Sequence, residues 1–431
     1  MPSGALPGFR DFYPAEFAER AHLFEAWRDV ARRFGFVEYD GPPLESLELY
    51  TKKSGEEIVA QLYAFKDKGD RDVALRPEMT PTLARMAAVR ANALRKPVRW
   101  FSIPQLFRYE RQQRGRLREH FQLNMDILGE PDVTADAELL AAAIEIMRAL
   151  GLSSADVVAR VSDRRLLNAL LKGSGFTPPQ YPVAYAALDK LERDPKPVLE
   201  ERLTKAGVSA QQCALLFELA AAARDPKAFS AHVERAGAGA EYAIVERYLA
   251  YLRALGVGEW VRLDLSIVRG LAYYTGIVFE LFDMKGELRA ICGGGRYDDL
   301  LEHLGGVAMP ALGFGMGDVV LMELLRVRGK VPAPESPLEY WVAFADDVDV
   351  AVAMDVAGRL RAGGRSVEYA LGGQKLARQL KAANAAGARS AVIIAKADLA
   401  QGDATLKNLS DGSEQRVKLD KWIASQRSQS L

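Results

Sequence analysis

The chain has 431 residues, 49% of them hydrophobic and 26% charged, and its 57 basic residues balance its 57 acidic residues. This length and composition predict a soluble protein of two or three domains, and the neutral total excludes a globally basic field as a basis for nucleic-acid binding. Cys213 and Cys292 fit no metal-ligand spacing, which argues against a disulfide scaffold or a zinc site and favours a reducing cytoplasm. Residues 1–14 lack a signal-peptide pattern and no stretch reaches the roughly 18 apolar residues of a membrane span, so we expect neither export nor a membrane.

The first half of the chain divides into two segments. Within residues 1–161, apolar residues at three- and four-residue intervals predict a helix over 15–34. Short strand patterns separated by turn signals follow, including a strand over 98–108 that enters a polar loop, and they predict an antiparallel sheet. Residues 162–256 keep helical spacing without strand signals, which predicts a helical insertion.

The second half divides in the same way. Strand patterns return within residues 257–330, which we expect to complete the first domain. The segment 329–337 contains three prolines and predicts a linker. Apolar runs then alternate with helical patterns over 338–424, which predicts a small α/β domain.

Arginines and a polar strand form the first candidate site. Five arginines lie within 108–118, and Gly115 gives that segment a flexible point. Guanidinium groups grip phosphates and carboxylates through paired donors, although a solvated hairpin tip has the same composition. In the following strand Gln122, Asn124 and Asp126 alternate with apolar residues and therefore share one polar face. This face predicts a pocket for a small polar ligand, and an ordinary surface strand is the alternative.

Three further segments combine glycines with aromatic or charged residues. Residues 269–276 bracket an arginine and a tyrosine pair with glycines, where tyrosines more often fill a core. Residues 293–298 and 313–318 are glycine-rich, as where backbone approaches a ligand. In 313–318 a glycine at every second strand position leaves one face of the strand bare, which suits either a flat base or tight packing. The spacing of these glycines does not match a dinucleotide-binding fingerprint.

Two single residues stay open at this point. Glu78 stands at a turn before a helix, where capping is the simplest role for a carboxylate. His120 adjoins the arginines, but the strand pattern does not determine its facing. The sequence shows no Ser/His/Asp or Cys/His arrangement for nucleophilic catalysis.

Taken together, these segments resemble histidyl-tRNA synthetases, within the class II aminoacyl-tRNA synthetases, over nearly the whole chain. The resemblance implies an α+β catalytic domain with an antiparallel sheet, a helical insertion and a C-terminal α/β anticodon-binding domain. The segments that carry it are 6–11 and 35–38 with Pro42 (N-terminal segment and first motif), 107–116 (second motif), 269–275 (histidine signature), and 372–376, Lys381 and 400–402 (anticodon-binding domain).

The resemblance implies a histidine–tRNA ligase, which activates L-histidine with ATP to histidyl-adenylate and transfers it to tRNA(His). It implies that Glu78, Thr80 and Gln122 bind the α-amino group and its surroundings, and that Asp126 and Tyr274 read the imidazole. The histidine-binding residues that it implies are Glu78, Met79, Thr80, Arg108, Gln122, Asp126, Arg269, Tyr273 and Tyr274.

The resemblance also implies the nucleotide site and the partners. Arg108 would hold the α-phosphate, Arg116 the outer phosphates, and Arg269 would neutralise charge that develops as the histidine carboxylate attacks, so Arg108 and Arg269 are the expected catalytic residues. Gly315 and Gly317 would complete the ATP site. Mg²⁺ would accompany ATP without a dedicated protein metal site, and the first motif implies a homodimer. We expect a cytoplasmic enzyme.

The chain departs from the family pattern at three places. Ala272 replaces a common acidic residue, His120 and Phe121 stand in reversed order, and Val319 and Val320 replace a glutamate and an arginine of the third motif. The alternative is therefore a catalytically inactive paralogue, such as the regulatory subunit of ATP phosphoribosyltransferase in histidine biosynthesis. Such subunits lack the C-terminal domain that this chain keeps. A non-enzymatic RNA-binding module is disfavoured because it would not need an amino-acid pocket.

Overall fold

The chain forms two compact units that divide after Pro332. The division lies within the proline-rich segment 329–337, where the sequence predicts a linker. No helix of the described part of the chain is both long and apolar enough to cross a membrane. The computed structural model describes residues 4–51, 61–109, 115, 117–268, 274–332, 338–372 and 374–426.

The first unit contains a large sheet, a small sheet and the helices that cover them. Its strands are β1 (Val37–Glu38), β2 (Leu44–Ser46), β3 (Ala64–Lys66), β4 (Asp72–Leu75), β5 (Val98–Ser102), β6 (Gln105–Phe107), β7 (Glu119–Leu128), β8 (Val157–Asp163), β9 (Val261–Leu263), β10 (Ile277–Asp283), β11 (Cys292–Arg296) and β12 (Ala311–Gly317). Its helices are α1 (Pro14–Arg33), α2 (Leu47–Thr51), α3 (Thr80–Arg90), α4 (Thr134–Ala149), α5 (Arg164–Gly173), α6 (Tyr181–Asp189), α7 (Lys196–Lys205), α8 (Ala210–Ala222), α9 (Pro226–Ala236), α10 (Gly239–Ala254), α11 (Leu300–Gly305) and α12 (Asp318–Val327).

The large sheet has the order β1-β5-β7-β12-β11-β10-β8-β9, and β6 also pairs with β7. The strands in its centre are antiparallel, as the sequence predicts. The pairs at its two edges, β1 with β5 and β8 with β9, are parallel. Alternation along one strand carries no information on the direction of its neighbour, so the sequence patterns could not predict these edge pairs.

The two faces of strand β7 differ in polarity. Leu123, Met125 and Ile127 are buried in one hydrophobic core together with Leu23 and Trp27 of α1. The alternate residues therefore face the other side of the sheet, as the polar face predicted from the sequence requires.

The predicted strand over 98–108 is in fact two strands, β5 and β6. Pro104 lies between them and cannot donate a ladder hydrogen bond because it lacks an N–H. Its carbonyl instead accepts a hydrogen bond from Gln122 N at 3.1 Å. Both strands pair with β7 in the same antiparallel register, so the predicted strand is interrupted before Gln105 but continues along β7 in one direction.

Helices α5–α10 occupy the segment in which the sequence shows only helical patterns. Strand β8 continues through Asp163, two residues into the segment 162–256. The Asp163 carboxylate then caps α5 by accepting hydrogen bonds from Arg165 N at 2.7 Å and Leu166 N at 3.1 Å. One residue thus ends the strand and begins the helix.

The second unit is a five-stranded sheet with helices, in the order β14-β13-β15-β16-β17. Strand β13 is parallel to β14 and β15, whereas β15, β16 and β17 are successively antiparallel. The elements are β13 (Tyr340–Phe344), α13 (Val350–Ala362), β14 (Val367–Tyr369), α14 (Leu376–Ala385), β15 (Ser390–Ile394), α15 (Lys396–Leu399), β16 (Asp403–Asn408), β17 (Glu414–Lys418) and α16 (Leu419–Ser425).

Candidate active site

A cavity of about 100 Å³ lies on the polar face of β7. Gln122, Asn124 and Asp126 line it from that strand, and Arg108, which follows β6, lines it as well. Strands β11 and β12, the turn before α3 and Tyr274 supply the rest of the lining. We call this space the first cavity. The polar strand face therefore lines a cavity, as the pocket predicted from the sequence requires.

Asp126 is a strongly perturbed group of the first cavity. Its side chain is buried and accepts a short hydrogen bond from the Tyr297 hydroxyl. Burial raises the pKa of Asp126 to about 7, although the bond from Tyr297 acts in the opposite direction. In its ionised form, a buried carboxyl with this pKa can accept a hydrogen bond from an N–H group of a ligand near neutral pH.

Glu78 provides the second carboxyl of the first cavity. Burial raises its pKa, and the charge of Arg108 opposes that rise, so the two side chains influence each other. The capping role is not observed, because Met79 occupies the N-cap position of α3 and no side chain caps that helix. The Arg108 Nε donates to the carbonyl of Pro77 at 3.0 Å, which ties the guanidinium to the turn that carries Glu78.

A second cavity of about 120 Å³ adjoins Arg108, which therefore lines both cavities. His120 and Val320 line the second cavity together with Gly317. His120 precedes Gln122 by two positions on β7 and thus lies on the same face of the sheet. The facing that the sequence left open is settled, since the adjacent Phe121 packs against the rings of Phe12 and Phe24 instead. The remaining described residues of its lining are Gly115, Leu117 and Val319.

Both roles that the sequence suggests for the glycines of β12, tight packing and an open strand face, are found at different positions of the strand. A Cβ on Gly313 would lie 2.0 Å from Asp126 Oδ1, and one on Gly315 would lie 2.7 Å from the Gln122 carboxamide carbon. These two positions are therefore tightly packed against cavity residues. A Cβ on Gly317 would meet nothing within 4 Å, so the bare face remains open where the strand reaches the second cavity.

The glycine-rich segment 293–298 has a mixed role. Gly293 and Tyr297 line the first cavity. Arg296 instead forms a buried ion pair with Asp136 of α4, at 2.5 Å, with each side chain 2% exposed. Burial raises the pKa of Asp136 to about 6, and Arg296 opposes that rise. Arg296 thus joins β11 to α4 rather than contacting the cavity.

The structure brings together most of the sequence-predicted site residues that it describes. Met79 is fully buried, with its sulfur 3.9 Å from Arg76 Nη1, and is not among the lining residues. Arg116, Arg269 and Tyr273 lie outside the described residues. Those that line the first cavity are Glu78, Thr80, Arg108, Gln122, Asp126, Tyr274 and Gly315, and those that line the second are Arg108 and Gly317.

The sequence places Tyr297 and Gly313 in glycine-rich segments where backbone could approach a ligand, but they are not among the expected histidine- or ATP-binding residues. Both line the first cavity. The contact of Gly313 with Asp126 depends on their register in the strand pairing, which the sequence patterns do not give. Within the described residues, no group of three or more His, Cys, Asp or Glu side chains converges to hold a metal ion.

Comparison with known proteins gives consistent matches. The family model "Histidyl-tRNA synthetase" matches residues 8–318, and the model "Anticodon binding domain" matches residues 342–427. A histidine–tRNA ligase of Opitutus terrae is 42% identical over 416 residues, covering 96% of this chain and 95% of that protein.

Two solved structures are similar to the chain over most of its length. A histidyl-tRNA synthetase from Nostoc sp. PCC 7120 has a TM-score of 0.84 and 25% identity, covering 99% of both chains. A Bacillus halodurans protein, described as an ATP phosphoribosyltransferase regulatory subunit/histidyl-tRNA synthetase, has a TM-score of 0.76 and 21% identity over 92% of this chain and 99% of that one. The second likeness concerns the fold alone.

Proposed function

Since the chain belongs to the histidyl-tRNA synthetase family, we propose that its two adjoining cavities bind L-histidine and ATP and join them as histidyl-adenylate. The chain is a class II aminoacyl-tRNA ligase, a histidine–tRNA ligase that charges tRNA(His) for protein synthesis. The observation that carries the proposal is that Arg108 lines both cavities, so one guanidinium reaches the boundary where the two substrates react.

The first cavity suits histidine in charge and shape. Glu78, with Thr80 and Gln122 beside it, would hold the α-ammonium group through charge-assisted hydrogen bonds. Asp126 would accept a hydrogen bond from an imidazole N–H. Tyr274, which precedes β10, would contact the imidazole ring. All five residues line the first cavity, which supports these assignments.

The second cavity suits the nucleotide. The imidazole of His120 and the side chain of Val320 offer a flat ring and an apolar surface to adenine, and the open face at Gly317 leaves room for the base. Arg108 would hold the α-phosphate. Arg116 and Arg269 would act on the outer phosphates and on the charge of the transition state.

The reaction needs positioning and charge stabilisation more than proton transfer. A carboxylate oxygen of histidine attacks the α-phosphorus, the bond to the β-phosphate oxygen breaks, and pyrophosphate leaves. Mg²⁺, carried by the phosphates of ATP, would neutralise charge on the departing pyrophosphate. The terminal ribose hydroxyl of the tRNA then attacks the carbonyl carbon of the adenylate, and AMP leaves.

The partners follow from the same proposal. The second unit, which matches the anticodon-binding domain model, would contact the anticodon of the tRNA. A homodimer would form through the first motif, and light scattering of the purified chain should give twice the monomer mass; a stable, active monomer would refute this part. We place the enzyme in the cytoplasm, in keeping with Cys213 and Cys292, which form no disulfide in the described part of the chain.

The test is histidine-dependent exchange of labelled pyrophosphate into ATP, followed by charging of tRNA(His). We expect both activities despite Val320, because one lost nucleotide contact weakens binding by roughly tenfold to hundredfold without abolishing it. The KM for ATP should carry that deficit. No exchange at saturating histidine, Mg²⁺ and millimolar ATP would instead favour the inactive regulatory paralogue.

A further inference from the structure

We propose that Arg10 is a positioning residue for the nucleotide cavity, because it holds together the two elements that form the walls of that cavity. This inference rests on the proposed function. Arg10 belongs to the N-terminal segment that precedes α1, and it contacts β7 and α12 at once. It lies on the side of β7 opposite to the cavities and therefore acts through other residues.

The contacts of Arg10 are ionic on both sides. Its Nε donates to Glu119 Oε1 at 2.6 Å, and its Nη1 donates to Asp318 Oδ2 at 2.9 Å. Glu119 begins β7, and its side chain is 1% exposed. Asp318 begins α12, and its side chain is 4% exposed. One partly buried cation thus compensates two carboxylates that water barely reaches.

These carboxylates are direct neighbours of cavity residues in the sequence. Glu119 immediately precedes His120, and Asp318 lies between Gly317 and Val319. His120, Gly317 and Val319 all line the second cavity. Arg10 therefore adds an ionic connection between the start of β7 and the start of α12, where the ladder between β7 and β12 ends at Gly317 and Gln122.

Additional hydrogen bonds make this connection specific. Phe121 N donates to Asp318 Oδ1 at 3.0 Å, so Asp318 also contacts the β7 backbone directly. Gln105 Nε2 donates to Glu119 Oε2 at 2.9 Å. The N-terminal segment itself is attached to β7, since Gly8 O accepts from Arg118 N at 3.0 Å.

Without the cation the arrangement would contain two buried like charges. Burial already raises the pKa of Asp318, Arg10 opposes that rise, and Glu119 adds to it. Arg20, the other cation near this cluster, lies over the rings of Phe12 and Phe121 at 4.2 and 4.8 Å from their centroids. The structure shows Arg10, and not Arg20, in hydrogen-bond contact with both carboxylates.

The test compares Arg10→Gln, Arg10→Lys, Asp318→Asn and the double variant Arg10→Gln/Asp318→Asn in full-length protein. We expect Arg10→Gln to raise the KM for ATP in pyrophosphate exchange by roughly tenfold or more, with the KM for histidine within about twofold of wild type. Arg10→Lys keeps the charge and should recover part of the loss. Asp318→Asn removes one of the two carboxylates and should also recover part of it, which a double-mutant cycle measures as coupling.

The matched control is Arg202→Gln, which removes an exposed arginine from its 2.6 Å ion pair with Asp194 in the same unit. It should leave both KM values unchanged. If Arg10→Gln lowered the melting temperature and raised both KM values equally, Arg10 would be a stabilising residue only, and the inference would be wrong. An unchanged KM for ATP would also refute it. A wild-type chain without exchange activity would refute the proposed function instead, so the two failures are distinguishable.

Discussion

The packing around Gly313 allows a sharp test of the histidine site. In Gly313→Ala the new Cβ would lie 2.0 Å from Asp126 Oδ1 and 2.7 Å from the Tyr297 hydroxyl. Carbon and oxygen atoms at these separations overlap, so the carboxylate has to move by about 1 Å or more. Asp126 is short, buried and hydrogen-bonded to Tyr297, and it has little room in which to move.

Overpacking of this kind costs about 1–3 kcal/mol. If the cost falls on the position of Asp126, the KM for histidine should rise by roughly fivefold to hundredfold, because 1.4 kcal/mol corresponds to tenfold in affinity. The KM for ATP should change much less, since Gly313 does not line the second cavity. Pyrophosphate exchange with one substrate varied and the other saturating measures both values.

Gly317→Ala is the comparison within the same strand. A Cβ at Gly317 would meet nothing within 4 Å, and φ of −81° is ordinary for alanine. This variant should match wild type in melting temperature and in the KM for histidine. The reasoning fails if Gly313→Ala leaves the KM for histidine within twofold of wild type, or if both variants raise it to the same extent.

Three further predictions concern charge and domain organisation. Because burial raises the pKa of Asp126 from its ordinary 3.8 to about 7, the folded state binds more protons than the unfolded state between these values. The carboxyl therefore lowers the stability of the fold as pH rises through this window. The melting temperature of Asp126→Asn should rise relative to that of wild type from pH 5 to pH 8, while its KM for histidine increases. A melting-temperature difference that does not depend on pH would contradict this. Arg296→Met leaves buried Asp136 without its counterion and should lower the free energy of unfolding by about 3–5 kcal/mol in urea titrations, and a loss below 1 kcal/mol would show that the pair is unimportant. Removal of residues 334–431 should spare much of the pyrophosphate exchange but sharply weaken tRNA charging, whereas equal loss of both in a folded first unit would argue against a separate tRNA-binding unit.

Local patterns were sufficient to predict the parts of the site that lie on one strand. The alternation in β7 places Gln122, Asn124 and Asp126 on one polar face, and the structure shows that face lining a cavity. The neighbouring arginines indicated an anion site, and Arg108 does adjoin both cavities. Side-chain period is a property of the strand itself and needs no knowledge of its partners.

Features that depend on strand pairing could not be predicted in the same way. The clash that forbids a side chain at Gly313 exists only because β12 places this residue opposite Asp126. The ion pairs of Arg10 join positions 109 and 308 residues apart in sequence. The capping role of Glu78 is not observed either, because Met79 is the N-cap residue of α3 and no side chain caps that helix.

Strand β7 places both cavities on one continuous backbone, with His120 at one cavity and Asp126 at the other. The two positions are six steps apart along an extended chain, roughly 20 Å at about 3.3 Å per step. Insertion or deletion of a single residue between them would turn one group to the opposite face and change its distance from the other. Natural variation in this segment should therefore proceed by substitution at constant length, so that amino-acid recognition and nucleotide recognition are inherited together.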